Sequence, residues 1–154
     1  MIRIVHLSDI HYSLPAKELI KTYIVPSLIN DLKIFHSESK INLVLLTGDL
    51  INKGGEGFNK SIDAFNSFNI EFLNPIMQTL NLNNDDVIFT IGNHDLDLNA
   101  DEEFENVGLM HELTTIEKVN SFIKKDRENG YRRVLPFKEF EKEYHKNFTD
   151  FHDI

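Results

Sequence analysis

The 154-residue chain has a formal net charge of −9, is 41% hydrophobic and 27% charged, and contains no cysteine. This composition is typical of one globular domain, and it excludes disulfides and thiolate metal sites. With no long apolar run and no signal-peptide pattern, we expect a single cytoplasmic domain over residues 1–154. The negative charge argues against a broad basic surface that binds nucleic acid. It does not exclude a nuclease, because an active site built from carboxylates is itself acidic.

Residues 1–7 form an apolar run of strand length that ends in Ser8-Asp9-Ile10-His11. Asp9 and His11 are two positions apart, so in extended backbone both side chains would point the same way and could bind one ion. His6 lies inside the run. Because a lone histidine in a buried strand is more often a hydrogen-bonded core residue than a ligand, we expect His6 in the core.

Apolar residues recur at helical spacing from residue 16 to about 37, which predicts an amphipathic helix that kinks or restarts near Pro26. Residues 41–47 form a second apolar strand, which is followed by Gly48-Asp49-Leu50. The glycine-rich loop 53–57 lacks the Lys-Ser/Thr ending of a phosphate-binding loop. We interpret it as a connection that can line a site.

A second apolar stripe steps by three or four residues from Phe58 to Leu80, which predicts a core-facing helix with a break near Asn69 and Pro75. The third strand, residues 86–91, is apolar on both faces, as in a parallel strand buried beneath helices. Gly92-Asn93-His94-Asp95 follows it. Taken alone, these residues are also compatible with a glycine turn whose histidine is incidental.

The predicted order is βαβαβ, and right-handed crossovers then make the sheet parallel, with helices packed over it. All three strands end at one edge, which is where open α/β sheets bind ligands. We therefore predict an α/β fold with a βαβαβ core over residues 1–100 that carries the site, followed by a helical segment over 101–154.

The helical segment contains no further strand-like run. Residues 97–105 are acidic and loop-like, and Thr114 with Glu117 predicts the capped start of a helix that continues through Ile123. Residues 127–133 form a polar break. A last helix over residues 136–151 places on one face the aromatic residues Phe137, Phe140, Tyr144, Phe148 and Phe151.

The motifs Asp9-x-His11, Gly48-Asp49 and Gly92-Asn93-His94-Asp95, each closing a strand, resemble the calcineurin-like metallophosphoesterase superfamily over residues 1–95. Each spacing of about 40 residues leaves room for one crossover helix. The resemblance implies the N-terminal half of a metallophosphoesterase-type α/β sandwich and hydrolysis of phosphoesters by a dinuclear site. Two cations about 3.5–4 Å apart neutralise phosphate oxygens and supply hydroxide in such sites.

The resemblance also implies roles for individual residues. Asp9 and His11 would bind the first ion, Asp49 would bridge the two ions, and Asn93 would bind the second. His94 would be the general acid near the leaving group, with Asp95 orienting its ring. Mixed oxygen and imidazole ligands suit Mn, Fe, Zn or Ni, and the sequence leaves the identity of the two divalent ions open.

The chain departs from the family pattern in two ways. Lys53 replaces the arginine of the family's protein phosphatases, and the third motif ends in Asp95 rather than Glu, so we favour a phosphodiesterase or nuclease. The Gly-His-x-His motif that completes the family's site is absent. We expect surface or capping roles for His111, His145 and His152, and we expect the 154 residues to be the truncated N-terminal part of a longer enzyme.

Two other interpretations stay open. The first is a non-catalytic module of the same fold that binds a partner or a phosphorylated ligand. The second is a response-regulator-like domain, although Mg²⁺ sites of that kind are built from oxygens, which His11 and His94 do not supply. We expect the partners to be a phosphoester substrate, the remainder of the same polypeptide and, for this fragment, further copies of itself. The sequence does not choose among cyclic nucleotides, nucleic acid and other diesters.

Overall fold

Three apolar runs form the strands of a parallel sheet in the computed structural model, which describes residues 2–97, 99–100, 114–118 and 127–146 apart from the side chains of 127–131. The strands are β1 (Ile4–Leu7), β2 (Leu43–Thr47) and β3 (Val87–Thr90), in that order across the sheet. In the register, Leu7 lies beside Leu46, and Thr47 lies beside Thr90. The predicted α/β fold with a parallel βαβαβ core is confirmed, and the carboxyl ends of the strands meet at one edge.

Both crossover segments are helical, and each contains a widened π-helical turn. The first consists of α1 (Lys17–Leu19), a π turn (Ile20–Ile24) and α2 (Val25–Glu38). The second consists of α3 (Ser61–Phe68), a π turn (Asn69–Leu73) and α4 (Asn74–Leu80).

The two π turns stand at the predicted helix breaks. Each one ends directly before an X-Pro pair, Val25-Pro26 or Asn74-Pro75. Proline has no N–H for the bond to the carbonyl four residues earlier, so the α-helical pattern cannot pass through it. The preceding turn widens instead, and the Val25 and Asn74 amides bond to carbonyls five residues back.

Helices cover one face of the sheet. On that face Val44, Leu46 and Val87 are buried. On the opposite face Ile4 is 53% exposed and Ile88 is 48% exposed, so the expectation that β3 is buried on both sides is wrong. The strand order explains this, because successive right-handed crossovers that advance in one direction place their helices on the same side. The described residues leave the other face uncovered.

The C-terminal helix differs from the prediction. Helix α5 spans Arg127–Tyr144, so residues 127–133 are helical rather than a break, and Pro136 lies inside the helix instead of starting it. The predicted aromatic face is confirmed for Phe137, Phe140 and Tyr144, which are buried. Their rings contact Phe65 and Phe89 and thereby join α5 to α3 and β3. Phe148 and Phe151 lie outside the described residues.

Two histidines are placed differently from expectation. His6 is exposed on the uncovered sheet face, although its Nε2 does form a hydrogen bond of 2.6 Å with Thr47 Oγ1. His145 is buried against Phe89 and Tyr144 rather than on the surface. His111 and His152 lie outside the described residues.

The remaining predictions for the C-terminal segment are tested in part. Residues 116–118 are helical, and it is Thr115, rather than Thr114, whose hydroxyl accepts a hydrogen bond from the Lys118 amide. The rest of that predicted helix, and residues 101–105 of the acidic loop, lie outside the described residues. Within the described part of the chain, no helix is both long and apolar enough to span a bilayer.

Candidate metal centre

The loops after β1 and β2 run side by side and carry the predicted ligands. The backbone is left-handed at Asp9, His11 and Asp49, with φ values of 56°, 49° and 51°. The extended conformation assumed for Asp9 and His11 is therefore wrong. Non-glycine residues seldom adopt this conformation, and such strain concentrates at functional sites, where the surrounding structure maintains it.

Backbone hydrogen bonds hold these two loops together at both ends. Before the site, the strands β1 and β2 are paired; within it, the His11 amide donates to the Asp49 carbonyl at 3.0 Å. Beyond the site, Tyr12 and Ile51 form an isolated parallel bridge. The predicted ligand residues thus lie between two paired segments, which explains how the strained backbone is kept in place.

His11, Asp49 and His94 form a cluster that could hold a metal ion. One ligand atom from each lies within 4.8 Å of those of the other two. The two imidazole rings meet edge to face with centroids 4.6 Å apart, and Asp49 Oδ1 accepts a hydrogen bond from the His94 amide at 2.9 Å. His11 Nδ1 is buried and has no hydrogen-bond partner among the described residues. Because an unpaired buried polar atom is costly, this set of donors fits a bound cation.

Asp9 and Asn93 lie beside this cluster. Asp9 Oδ1 is 4.0 Å from His11 Nε2, its other oxygen accepts a hydrogen bond from the Ser8 hydroxyl, and its side chain is 68% exposed. Asn93 begins the 3₁₀ turn Asn93–Asp95 and is exposed. The structure thus brings together His11, Asp49 and His94, and the ligand roles of Asp9 and Asn93 stay predictions.

The ring of His94 contacts Asn52, which sequence reasoning did not single out. Asn52 Oδ1 lies 3.0 Å from His94 Nδ1. Asp95, which was expected to orient this ring, instead accepts backbone hydrogen bonds from Ile51 at 3.0 Å and Gly92 at 2.9 Å. Asn52 is the fourth residue of Asp49-Leu50-Ile51-Asn52, so the signal that could have identified it was a polar residue three positions after the predicted bridging carboxylate.

The Asp95 carboxylate joins the second and third loops. It is fully buried, and burial raises its pKa, whereas hydrogen bonds from the Ile51, Gly92 and Leu50 amides act in the opposite direction. The negative charge of Asp49 raises the pKa further. Ile51 also forms the isolated parallel bridge with Tyr12. The Ile51 amide bonds to the Asp95 carboxylate, a side chain, rather than to the backbone of a third strand.

The glycine-rich loop lies against the same histidine. The Gly54 amide donates to the His94 carbonyl at 2.8 Å, and Lys53 Nζ is 3.3 Å from Glu56 Oε1. The side chain of Lys53 is 61% exposed. The loop therefore supports the third motif and presents a cation next to it.

Comparison with known proteins gives a consistent result. A sequence model of the family described as calcineurin-like phosphoesterase matches residues 2–153. The chain is also 28% identical over 95 residues to the uncharacterized metallophosphoesterase-like protein YydB of Bacillus subtilis (strain 168). That match covers 62% of this chain but 18% of YydB, so the chain spans a small part of the length of this curated relative. No solved structure gives a significant match.

Proposed function

The chain belongs to the calcineurin-like phosphoesterase family, and we propose on that premise that it contributes to the metal-dependent hydrolysis of phosphoesters. The observation that carries the proposal is the cluster of His11, Asp49 and His94, with ligand atoms within 4.8 Å of one another. The buried, unpaired Nδ1 of His11 supports it, because a metal-binding surface needs polar atoms that the protein itself leaves free.

We propose a dinuclear centre. His11 and Asp9 would hold one divalent ion, Asn93 would hold the other, and the Asp49 carboxylate would lie between them. The oxygen and imidazole donors suit Mn, Fe, Zn or Ni. When bound, such ions neutralise the non-bridging phosphate oxygens and lower the pKa of water.

The protein's own contribution is the placement of His94. The amide of His94 donates to Asp49 Oδ1, so the position of the imidazole is tied to the carboxylate that would hold the metals. We propose that the ring delivers a proton to the leaving-group oxygen, a role that contributes typically 10²–10⁴-fold to turnover. Asp95 acts by holding the loops of Ile51 and Gly92 together, as its two backbone contacts indicate.

A diester is the substrate class that we propose. Lys53 is a point charge without the fork that binds two phosphate oxygens at once, and it is already 3.3 Å from the Glu56 carboxylate. A site with one weak electrostatic contact suits the single negative charge of a diester better than the double charge of a monoester.

We propose further that these residues are part of a larger site. In the proposed site the second ion has Asp49 and Asn93 as ligands, and the described residues leave one face of the sheet uncovered, which a partner surface would shield. The remainder of a longer polypeptide would supply both. The alternative function is a non-catalytic module that binds metal and a phosphorylated ligand without turnover. The cluster of His11, Asp49 and His94 is compatible with it, because metal binding alone would account for these residues.

The proposal can be tested on the 154-residue chain with Mn²⁺ and bis(p-nitrophenyl) phosphate, a diester with a good leaving group. We expect slow, Mn²⁺-dependent hydrolysis that is lost in Asp49→Asn and kept in Asp63→Asn, a matched change of an exposed aspartate on α3. Equal rates in all three proteins would contradict the proposal. Metal binding by calorimetry with no hydrolysis in a longer chain that completes the site would favour the non-catalytic module.

A further inference from the structure

The side-chain amide of Asn52 lies between the carboxylate of Glu56 and the imidazole of His94. Its Nδ2 donates to Glu56 Oε2 at 2.6 Å, and its Oδ1 lies 3.0 Å from His94 Nδ1. Glu56, Asn52 and His94 therefore form a continuous hydrogen-bonded chain. The carboxylate of Glu56 lies at the end of this chain that is farther from the predicted metal ligands.

The identity of the donor at each step follows from the chemistry of the groups. An ionised carboxylate can only accept hydrogen bonds, so Asn52 must turn its NH₂ group toward Glu56. Its carbonyl oxygen then faces the histidine, and that oxygen can only accept. The Nδ1 of a neutral His94 must consequently carry the proton, which leaves Nε2 unprotonated.

A competing contact favours the opposite tautomer but is weaker. The Lys53 amide lies 3.5 Å from His94 Nδ1, and it could donate only if that nitrogen were unprotonated. This distance is at the limit for an N–H donor, whereas 3.0 Å is an ordinary hydrogen bond. The Asn52 contact therefore decides the proton's position for as long as the amide keeps its orientation.

The loop fixes Glu56 in a position from which it can control that orientation. The Glu56 amide donates to the Asn52 carbonyl at 2.8 Å, and the Glu56 carbonyl accepts from the Leu14 amide at 3.1 Å. Lys53 Nζ lies 3.3 Å from the second carboxylate oxygen, so each oxygen of the Glu56 carboxylate has a donor beside it. Without the carboxylate, an asparagine amide can rotate by 180° about its last bond and present NH₂ to the histidine instead.

We propose that Glu56 is a positioning residue that acts through Asn52 to hold His94 in the tautomer with the proton on Nδ1. The catalytic meaning of this arrangement rests on the proposed function, because it leaves Nε2 as the atom that gains and loses the proton delivered to the leaving group. The tautomer itself is a property of the protein without metal or substrate. It can therefore be measured whether or not the chain hydrolyses phosphoesters.

The test uses the ¹⁵N-labelled 154-residue chain without metal, at a pH of about 8, where an ordinary imidazole is neutral. Long-range ¹H–¹⁵N correlation spectra distinguish protonated from unprotonated ring nitrogens, and loss of signals in His94→Gln identifies those of His94. We expect wild-type Nδ1 to be protonated and Nε2 unprotonated. In Glu56→Ala we expect the ratio of the two tautomers to fall by about fivefold, the equivalent of one ordinary hydrogen bond.

Two further variants make the test specific. Asn52→Asp combined with Glu56→Ala should restore the wild-type tautomer, because an aspartate accepts in either orientation and does not need Glu56 to orient it. Glu18→Ala, which removes an exposed glutamate from α1, should leave the spectrum unchanged. Amide spectra show whether each variant is folded.

Three results would overturn the proposal. The first is an unchanged tautomer in folded Glu56→Ala, and the second is an equal change in Glu18→Ala, which would indicate a general effect of charge. The third is a folded double variant that fails to restore the tautomer, since Asn52 would then not be the intermediary. None of these results depends on activity, so failure of this proposal is distinguishable from failure of the proposed function.

Discussion

Gly48 and Gly92 lie directly against each other: a Cβ atom added to Gly48 would come within 2.8 Å of the Gly92 Cα atom. A Cβ atom on Gly92 would in turn overlap the amide nitrogen and the carboxylate of Asp49. The Gly-Asp and Gly-Asn motifs therefore contain glycine because two backbones meet at this point. This close approach is what brings the Asp49 carboxylate to the third loop.

Gly92→Ala tests that contact. Gly92 has φ −107° and ψ 176°, which alanine adopts freely, so any loss must come from the overlap with Asp49. We expect destabilisation by about 1–3 kcal/mol, as for other overpacked sites, and loss of metal binding. Denaturant unfolding and calorimetry with Mn²⁺ measure the two effects. Wild-type affinity for Mn²⁺ in this variant would show that the close approach does not position Asp49.

His94→Asn separates a general acid from a metal ligand. We expect the variant to keep its metal and to lose hydrolysis of a diester with a poor leaving group by 10²–10⁴-fold, the usual contribution of a general acid. Because His94 lies within 4.8 Å of the ligand atoms of His11 and Asp49, calorimetry must accompany the kinetics. If metal affinity falls together with the rate, His94 is a ligand and the proposed acid role is wrong.

We expect the isolated chain to self-associate through the sheet face that the described residues leave uncovered. Ile88, on the edge strand β3, is 48% exposed, and we expect Ile88→Lys to shift the chain toward the monomer. Ile34→Lys is the matched control, because Ile34 is 58% exposed on α2 rather than on the sheet. Light scattering over a range of concentrations measures the mass. Equal association in both variants would exclude the sheet face as the contact.

Tyr144 and Tyr12 offer a contrast between two buried hydroxyl groups. The Tyr144 hydroxyl has no hydrogen-bond partner among the described residues, and burial raises the pKa of this phenol. The Tyr12 hydroxyl contacts Ser67 at 2.8 Å and Glu71 at 3.2 Å. We expect Tyr144→Phe to leave the free energy of unfolding unchanged or raise it by about 1 kcal/mol, and Tyr12→Phe to lower it by about 1 kcal/mol. Greater destabilisation by Tyr144→Phe would contradict this expectation.

The ion pair of Glu71 with Lys17 should stabilise the fold in a pH-dependent way. Burial raises the pKa of Glu71, but the hydrogen bond and charge of Lys17, 2.9 Å away, together with the charge of Lys21 and the hydrogen bond from Tyr12, outweigh it and leave the pKa below its ordinary value of 4.5. The stabilisation is therefore complete above pH 4.5 and is lost as the pH falls through the lower, folded-state value.

Denaturant unfolding of the wild type and Glu71→Gln measures this effect. We expect a difference of about 1 kcal/mol at neutral pH that shrinks in acid. Glu139→Gln, at an exposed position on α5, controls for the loss of one charge. A difference that is the same at neutral and acid pH would mean that Glu71 stabilises the fold without its charge.

Features governed by local spacing could be predicted from the sequence. The α/β class, the strand order along the chain and the apolar stripes of the helices follow from periodicities that depend on neighbouring residues. The helix breaks follow from a local rule as well, since Pro26 and Pro75 each lack the N–H of the helical bond. Helix α5 was misjudged because its polar first half, residues 127–133, carries no apolar stripe to reveal it.

The candidate ligands at the strand ends could likewise be proposed from the sequence, whereas their contacts were decided by the tertiary structure. The resemblance to the family implied that Asp95 orients His94. The left-handed backbone and the tight 3₁₀ turn direct the Asp95 carboxylate toward the Ile51 amide instead, and Asn52 reaches the ring from another loop. A hydrogen bond forms only when the side chain points toward its partner at a short distance. Sequence spacing does not specify where a side chain points once the backbone leaves a regular helix or strand.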